Sequence, residues 1–518
     1  MGVAASGANS AGERLGERLF SDPRFAQLFA EQGGADVNSA LAQGDPALAE
    51  IILAETKVRG LYAGQTLSCR TCHLSGEMAD SPLLPGHRSL LFGDLTERSA
   101  VTRRADGIHL TARHAPPLVG AVGGQPEGWG LFHWDGEFAS PEALVRETFV
   151  GRNLGWLPTE RSAAVRHFAR VIREDNGRAP WAGDRPLPYA VLLAGTDPKI
   201  PGEWLLSETL RFDASKATDE QLLAASAHFV VSYLRTLRFS VDSSGAPNGS
   251  PYDAFLEANR LPRAPSAGET PHQYARRLHN AIATLKSPRF IDDPTRTLAA
   301  HGQPFRFGEL ELRGLRIFFR GTLGYGHRAS AGNCAECHVP PQFTDFAFHN
   351  TGVSQDEYDA IHGAGSFAKL IVPALAQREK GSARRLPADK TVAGQTDLGL
   401  WNIYGNPDLP APQSVIEKKL NPVHALTKAE VLALTLGRFK TPSLRDLGQS
   451  APYLHNGRFQ TIEEVLRFYQ RLSDLAEVGE MRNAPLEYAA IKLAEPDFVP
   501  LSAFLRSLNE DYPASPTP

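Results

Sequence analysis

The sequence predicts a mainly α protein in two halves, wrapped by long ordered loops. Three observations predict it. Apolar residues recur at helical spacing in several separated segments, and no region reads as β-rich. Gly and Pro number 46 and 38, enough for extended connecting segments. A five-residue pattern occurs twice, as Cys69-Arg70-Thr71-Cys72-His73 and as Cys334-Ala335-Glu336-Cys337-His338.

C-x-x-C-H is the attachment pattern for c-type haem. Its two thiols are spaced to form thioethers with one porphyrin, and the adjoining imidazole then lies under the iron as its proximal ligand. The chain has four cysteines, and all four fall in these two motifs. A zinc ribbon would bring two C-x-x-C units much closer in sequence, and a redox disulfide needs no following histidine. The reading is therefore two covalently bound haem c groups, held by Cys69, Cys72 and His73 and by Cys334, Cys337 and His338. It implies two cytochrome c-like haem domains, at 13–242 and 243–518.

Taken in order, residues 1–12 are small and polar and frayed. Gly12 to Phe20 follows as a helix with Leu15, Leu19 and Phe20 on one face. The Gly/Pro-rich passage from the first motif to about 138 reads as loops around a cofactor. Residues 160–174 place Ala164, Val165, Phe168 and Ile172 at helical spacing. Thr218, with Gln221 three residues on, is a capping box that opens a helix through Phe229, Tyr233 and Leu237. Residues 243–251 are turn-rich and mark the boundary. Short helices are expected over 252–285, then a helix over 309–320 leading into the second motif as helix 12–20 precedes the first. Residues 339–437 are Pro-rich, weak in periodicity and expected as a long loop insertion, which Trp401 and Tyr404 argue is ordered. Thr461 and Glu464 form another capping box, opening a helix with Ile462, Val465, Leu466 and Tyr469 on one face. A short helix near 499–508 ends the chain.

The formal net charge of −4, with dispersed Lys and Arg, gives no footprint for nucleic acid. No apolar run is long enough for a membrane span. The first seven residues carry neither a charged leader nor an apolar segment. Haem c is attached outside the cytoplasm, so a periplasmic mature form, its leader removed and a start Met added, is the expectation.

Haem chemistry depends on the sixth ligand. Methionine is the usual electron-transfer ligand, and only Met1, Met78 and Met481 exist. Histidine and tyrosine remain. His87, His109 and His114 are candidates for the first haem by position. Tyr469 reads either as a core aromatic or as a ligand.

Several segments, in order, resemble the bacterial di-haem cytochrome c peroxidases and their relatives of the MauG type. Gly16-Glu-Arg-Leu-Phe-Ser-Asp-Pro-Arg24 resembles the family opening G-x-x-L-F-x-D-x-R. Arg113-His-Ala-Pro-Pro-Leu118 and Phe132-His-Trp-Asp-Gly136 resemble R-N-x-P-x-L and F-W-D-G. Lys440-Thr-Pro-Ser-Leu-Arg445 and Ala451-Pro-Tyr-Leu-His-Asn-Gly457 resemble K-x-P-x-L-R and A-P-Y-x-H-x-G. The resemblance implies an oxidoreductase that reduces hydrogen peroxide. The peroxidatic haem would lie in the N-terminal half and the electron-transfer haem in the C-terminal half. Trp134 would relay electrons between them. His87 would ligate the peroxidatic haem at rest, and Tyr469 would be an axial ligand as in MauG. The implied partners are a small electron donor (a cytochrome c or a cupredoxin) or a protein substrate, and a second copy in a homodimer. A MauG-like oxidase and a non-catalytic electron carrier are the alternatives. Leu144 and Leu154 stand where the family keeps a Gln and a catalytic Glu. Asp135, Glu137 and Glu147 are the substitutes within reach, each also readable as a solvated surface charge. His114 and Ser450 replace an Asn and a Thr at the family's inter-haem calcium, which puts calcium in doubt.

Overall fold

The computed structural model describes residues 10–33, 36–53, 56–74, 93–123, 129–179, 187–323, 330–374, 384–406 and 409–511. The chain is helix-rich, as the periodicities predict. The N-terminal part contains α1 (Ala11–Ser21), α2 (Gln27–Gln32), α3 (Cys69–Cys72), α4 (Pro141–Phe149), α5 (Arg161–Glu174), α6 (Tyr189–Ala194) and α7 (Asp219–Leu234). The remainder contains α8 (Pro251–Ala258), α9 (Pro271–Ala283), α10 (Glu309–Phe319), α11 (Val353–His362), α12 (Pro410–Leu420), α13 (Lys428–Thr435), α14 (Ile462–Glu477), α15 (Leu486–Ala489) and α16 (Glu495–Arg506). Sheet among the described residues is confined to three antiparallel pairs. These are β1 (Glu50–Leu53) with β2 (Thr56–Arg59), β3 (Ile291–Leu298) with β4 (Gln303–Phe307), and β6 (Phe348–Asn350) with β7 (Arg438–Lys440); β5 (Arg320–Leu323) follows α10. No described helix is long and apolar enough to cross a membrane.

The caps explain where the helices start. Ser10 and Glu13 exchange hydrogen bonds at the head of α1, Thr218 and Gln221 at α7, and Thr461 and Glu464 at α14. The α7 helix ends at Leu234, so Leu237 lies beyond it.

The two halves share one packing device. α1 crosses α7, and a side chain on Gly16 would land on the Phe229 carbonyl and on Tyr233. α10 crosses α16, and a side chain on Gly314 would land on the Pro500 carbonyl and on Phe504. Each glycine lets two backbones touch, so each helix leading toward a C-x-x-C-H motif is locked against a later helix. This is the physical content of the weak internal repeat.

Buried apolar residues form three clusters. One draws on Leu15, Phe20, Phe168, Leu222 and Tyr233, and another on Phe255, Leu315, Phe318, Leu466 and Phe504. The third corrects the expectation of a loop over 339–437. That stretch holds α11, α12, α13 and β6, and buries Phe348, Leu400, Trp401, Tyr404, Ile416 and Val431 together with Trp129 and Leu131. Pro-rich spacing hid these short helices, because none is long enough to show a full periodic stripe.

The segment joining the first two clusters is held by the C-terminus. Glu510 Oε1 accepts the Ser240 N–H at 2.8 Å, and Gly249 packs against the same carboxylate. Glu510 is buried and its Oε2 has no hydrogen-bond partner. Its pKa is pushed up from 4.5 to about 7. Burial is the main cause; Ser240 and Arg445 oppose it, and Asp253 and Asp446 add to it. Between these two values the unfolded chain has lost this proton and the folded chain keeps it. Stability should therefore fall as pH rises from 4.5 to 7 and level off above. At about 1.4 kcal/mol per unit, the loss from this group is on the order of 3 kcal/mol. Glu510→Gln should remove that slope and raise the melting temperature at pH 8, as read by thermal denaturation across pH.

Candidate functional site

Each C-x-x-C-H motif folds as one helical turn. The His73 N–H donates to the Cys69 carbonyl at 2.9 Å, and the His338 N–H to the Cys334 carbonyl at 2.8 Å. Positions i, i+3 and i+4 share a face in such a turn, so two thiols and one imidazole are presented together. All four cysteines are half-buried and none is paired in a disulfide. α1 supports the first turn, with the Phe20 ring 6.4 Å from His73. α10 and β5 support the second.

The second imidazole is oriented. His338 Nδ1 lies 3.1 Å from the Phe343 carbonyl, so it donates there and leaves Nε2 unprotonated. Burial is the main force holding its pKa below the ordinary value. A neutral ring with Nδ1–H fixed by a carbonyl is the state in which histidine ligates a metal. The loop that supplies this carbonyl is braced by the Lys440–Arg445 motif. Thr344 donates to the Thr441 carbonyl, Ser443 to the Gln342 carbonyl, and Arg445 Nε to the Pro341 carbonyl. The Arg445 guanidinium also forms a bidentate, fully buried pair with Asp253 at 3.0 and 2.9 Å.

Tyr469 is half-buried on α14, its ring 5.5 Å from that of Tyr488. Burial, and then the charge of Cys337 and Cys334, pushes its pKa up. The phenol therefore sits beside the second attachment turn. His87 lies outside the described residues. The structure exposes His109 and buries His114.

Trp134 stands between segments of both halves. Its indole N–H donates to the His114 carbonyl at 2.8 Å, and its own carbonyl accepts the Lys440 N–H at 2.8 Å. Its ring centre is 6.4 Å from that of His455, which stacks on Phe439 at 3.5 Å and 13°. Phe439 is in β7, opposite His349 of β6, and His349 Nε2 lies 2.7 Å from Asp345. A continuous file of aromatic rings thus runs from Trp134 toward the strand pair that flanks the second motif. Burial pushes the His455 pKa down to about 3, so the ring is neutral. His455 Nε2 and His114 Nε2 are both buried without a hydrogen-bond partner. His455 can carry its proton on Nε2 and offer it to an anionic group such as a haem propionate, whereas His114, donating from Nδ1 to the Thr96 carbonyl, presents an acceptor at Nε2. The two C-x-x-C-H turns and the pre-set His338 imidazole fit two haems.

Asp135 is not a surface charge. It is completely buried, with Oδ2 2.8 Å from Arg113 and 3.0 Å from Arg385. Arg113 in turn holds Asp397 at 2.6 Å. Burial opposes the anion at Asp135, but the two guanidinium charges outweigh it and keep the pKa well below the usual range. Glu137 is mostly buried and pairs with Arg385 at 2.5 Å, whereas Glu147 is a half-exposed partner of Arg161. Leu154 is buried in apolar surroundings and Leu144 is half-buried. Sequence reading missed Asp397, Arg385 and the Asp253–Arg445 pair, whose partners are remote in sequence, and the local pair Asp345–His349. His133 and Glu137 did carry a readable signal, the alternation His133-x-Asp135-x-Glu137.

No protein-family model matches the chain. It is similar to curated cytochrome-c peroxidases. It is 40% identical to IdrP2 of Pseudomonas sp. (strain SCT) over 188 residues, which are 36% of this chain and 39% of that protein. It is 35% identical to IdrP1 of Denitromonas iodatirespirans over 190 residues, 37% of this chain and 40% of that protein. The matched segments span about two fifths of the length of these relatives. Among solved structures, a MauG-like protein associated with microbial copper homeostasis aligns at 19% identity and TM-score 0.45, covering 99% of this chain and 94% of the other. The diheme peroxidase BthA from Burkholderia thailandensis aligns at 17% identity and TM-score 0.43, covering 97% and 87%. The resemblance to cytochrome c peroxidases carried by the motifs is matched by the similarity to the curated proteins.

Proposed function

We propose that this chain is a periplasmic di-haem c oxidoreductase that reduces hydrogen peroxide. The observation that carries the reading is the pair of C-x-x-C-H turns, neither with its cysteines in a disulfide, the second with its imidazole already set for ligation. Residues 13–242 would form the peroxide-facing cytochrome c-like domain and 243–518 the electron-transfer domain. Bound haem would supply the redox centre at each turn. His73 and His338 would hold the iron from the proximal side. Trp134, with His455 and Phe439 stacked beyond it, would pass electrons between the halves. His87 would be the displaceable ligand on the peroxide side. A small cytochrome c or cupredoxin would deliver electrons, and a homodimer is the assembly expected.

Proton handling separates this chain from a plain peroxidase. Leu154 carries no proton, and Asp135 is held as an anion between Arg113 and Arg385. Cleavage of peroxide needs a titratable group within hydrogen-bond reach. Among the alternatives, this favours the non-catalytic electron carrier, which has no peroxide to cleave. Tyr469 favours a MauG-like oxidase of a protein substrate docked on residues 339–437: it lies near Cys334 and Cys337, and bound as a phenolate it would donate charge and stabilise high oxidation states. Calcium has little support. The His114 ring engages the Thr96 carbonyl and Ser450 engages that of Leu447, whereas calcium takes oxygen ligands.

A pyridine haemochrome assay should count two haems per chain. Absorption and EPR spectra before and after peroxide then decide the class. A high-spin or convertible haem that reacts is the result expected; two low-spin, unreactive haems would mean an electron carrier. Tyr469→Phe should shift the spectrum of one haem only, and no shift would remove Tyr469 as a ligand.

A further inference from the structure

We propose that His133, Asp135 and Glu137 form a binding site for a divalent transition-metal ion of the zinc class, distinct from both haem turns. The three side chains come from one tight hairpin, closed by a bridge between Phe132 and Phe138. His133 and Gly136 both have positive φ there, at 74°, which gathers alternate side chains on one side. His133 Nδ1, an Asp135 oxygen and a Glu137 oxygen all lie within 4.8 Å of one another.

The distances argue for a metal rather than a direct contact. His133 Nδ1 is 3.4 Å from Asp135 Oδ1 and 3.4 Å from Glu137 Oε2. Elsewhere in the molecule, histidines paired with carboxylates close to 2.7 Å, as at His349–Asp345 and His301–Asp446. Two donors each about 2.0–2.1 Å from a tetrahedral zinc ion lie about 3.4 Å apart. Independently, neither Asp135 Oδ1 nor His133 Nδ1, both buried, has a hydrogen-bond partner among the described residues, so the two atoms that face each other are both unsatisfied there. One nitrogen and two carboxylate oxygens make a donor set zinc accepts, and the part-exposed His133 leaves a fourth position open to water.

The charges nearby define the competitor. Arg113 and Arg385 face Asp135 on its other oxygen, Arg385 also holds Glu137, and Arg113 holds Asp397. With His133 neutral, three carboxylates face two guanidinium groups, leaving one negative charge uncompensated. A metal ion would compete with Arg385 for Glu137 alone, since Arg385 keeps Asp135 Oδ2. The rival occupant of the gap is a proton on His133.

The test uses untagged, full-length holoprotein, stripped with EDTA and equilibrated with zinc. Zinc per chain is read by mass spectrometry, and affinity by calorimetry. About one zinc per chain is expected. Glu137→Gln should weaken it at least about tenfold, as expected for the loss of a ligand. Arg385→Gln, which removes the competing cation and no ligand, should tighten it. Failure to bind stoichiometric zinc, or an affinity unmoved by Glu137→Gln or not raised by Arg385→Gln, would overturn the site and leave His133 as a protonated ion-pair partner.

Discussion

Asp253→Ala is expected to destabilise the chain by about 3–5 kcal/mol, the cost of stranding a buried guanidinium. Arg445 and Asp253 are each about 1% exposed and joined by two hydrogen bonds, so water cannot replace the lost partner. The effect should reach the second attachment turn. Arg445 Nε donates to Pro341, in the loop whose Phe343 carbonyl orients His338. The variant should unfold at lower denaturant, and the spectrum of the C-terminal haem should broaden before that of the N-terminal one. An unchanged unfolding midpoint would show that the pair contributes nothing net. Asp253→Asn, which keeps one acceptor, should recover part of the loss.

On the function proposed above, Trp134→Phe is expected to leave the first reaction with peroxide intact and slow charge transfer between the haems by at least about tenfold. Phenylalanine preserves much of the buried volume, so the packing loss stays modest. What disappears is the indole N–H bond to the His114 carbonyl and the larger, more readily oxidised ring near His455. Stopped-flow spectra can follow the two haems separately. If both change as fast as in the parent protein, Trp134 is a core residue and the relay is wrong. A normal melting temperature in this variant would separate electron transfer from folding.

The legible part of the molecule was local. Capping boxes at Thr218 and Thr461, apolar stripes over 161–174 and 309–319, and the two attachment turns depend on residues three or four positions apart. A helical turn converts that spacing directly into a shared face. The loop assigned to 339–437 failed for the complementary reason. Its short helices acquire stability from the Trp401 and Leu400 cluster, which includes Trp129 from far upstream. Short helices in isolation are marginal, so little of them is written in their own periodicity.

By itself, then, the order of residues determined the helix-rich class and the two pentapeptides able to take haem. Their chemistry is complete within five positions. The tertiary structure alone decided the rest. It turned Asp135 from a presumed surface charge into a buried anion, by bringing both Arg113 and Arg385 to its Oδ2. It joined Arg113 to Asp397 across 284 positions, and it stacked Phe439 on His455 within reach of Trp134. Charges and rings act through distances in space, and separation along the chain carries no information about those distances until the chain has folded.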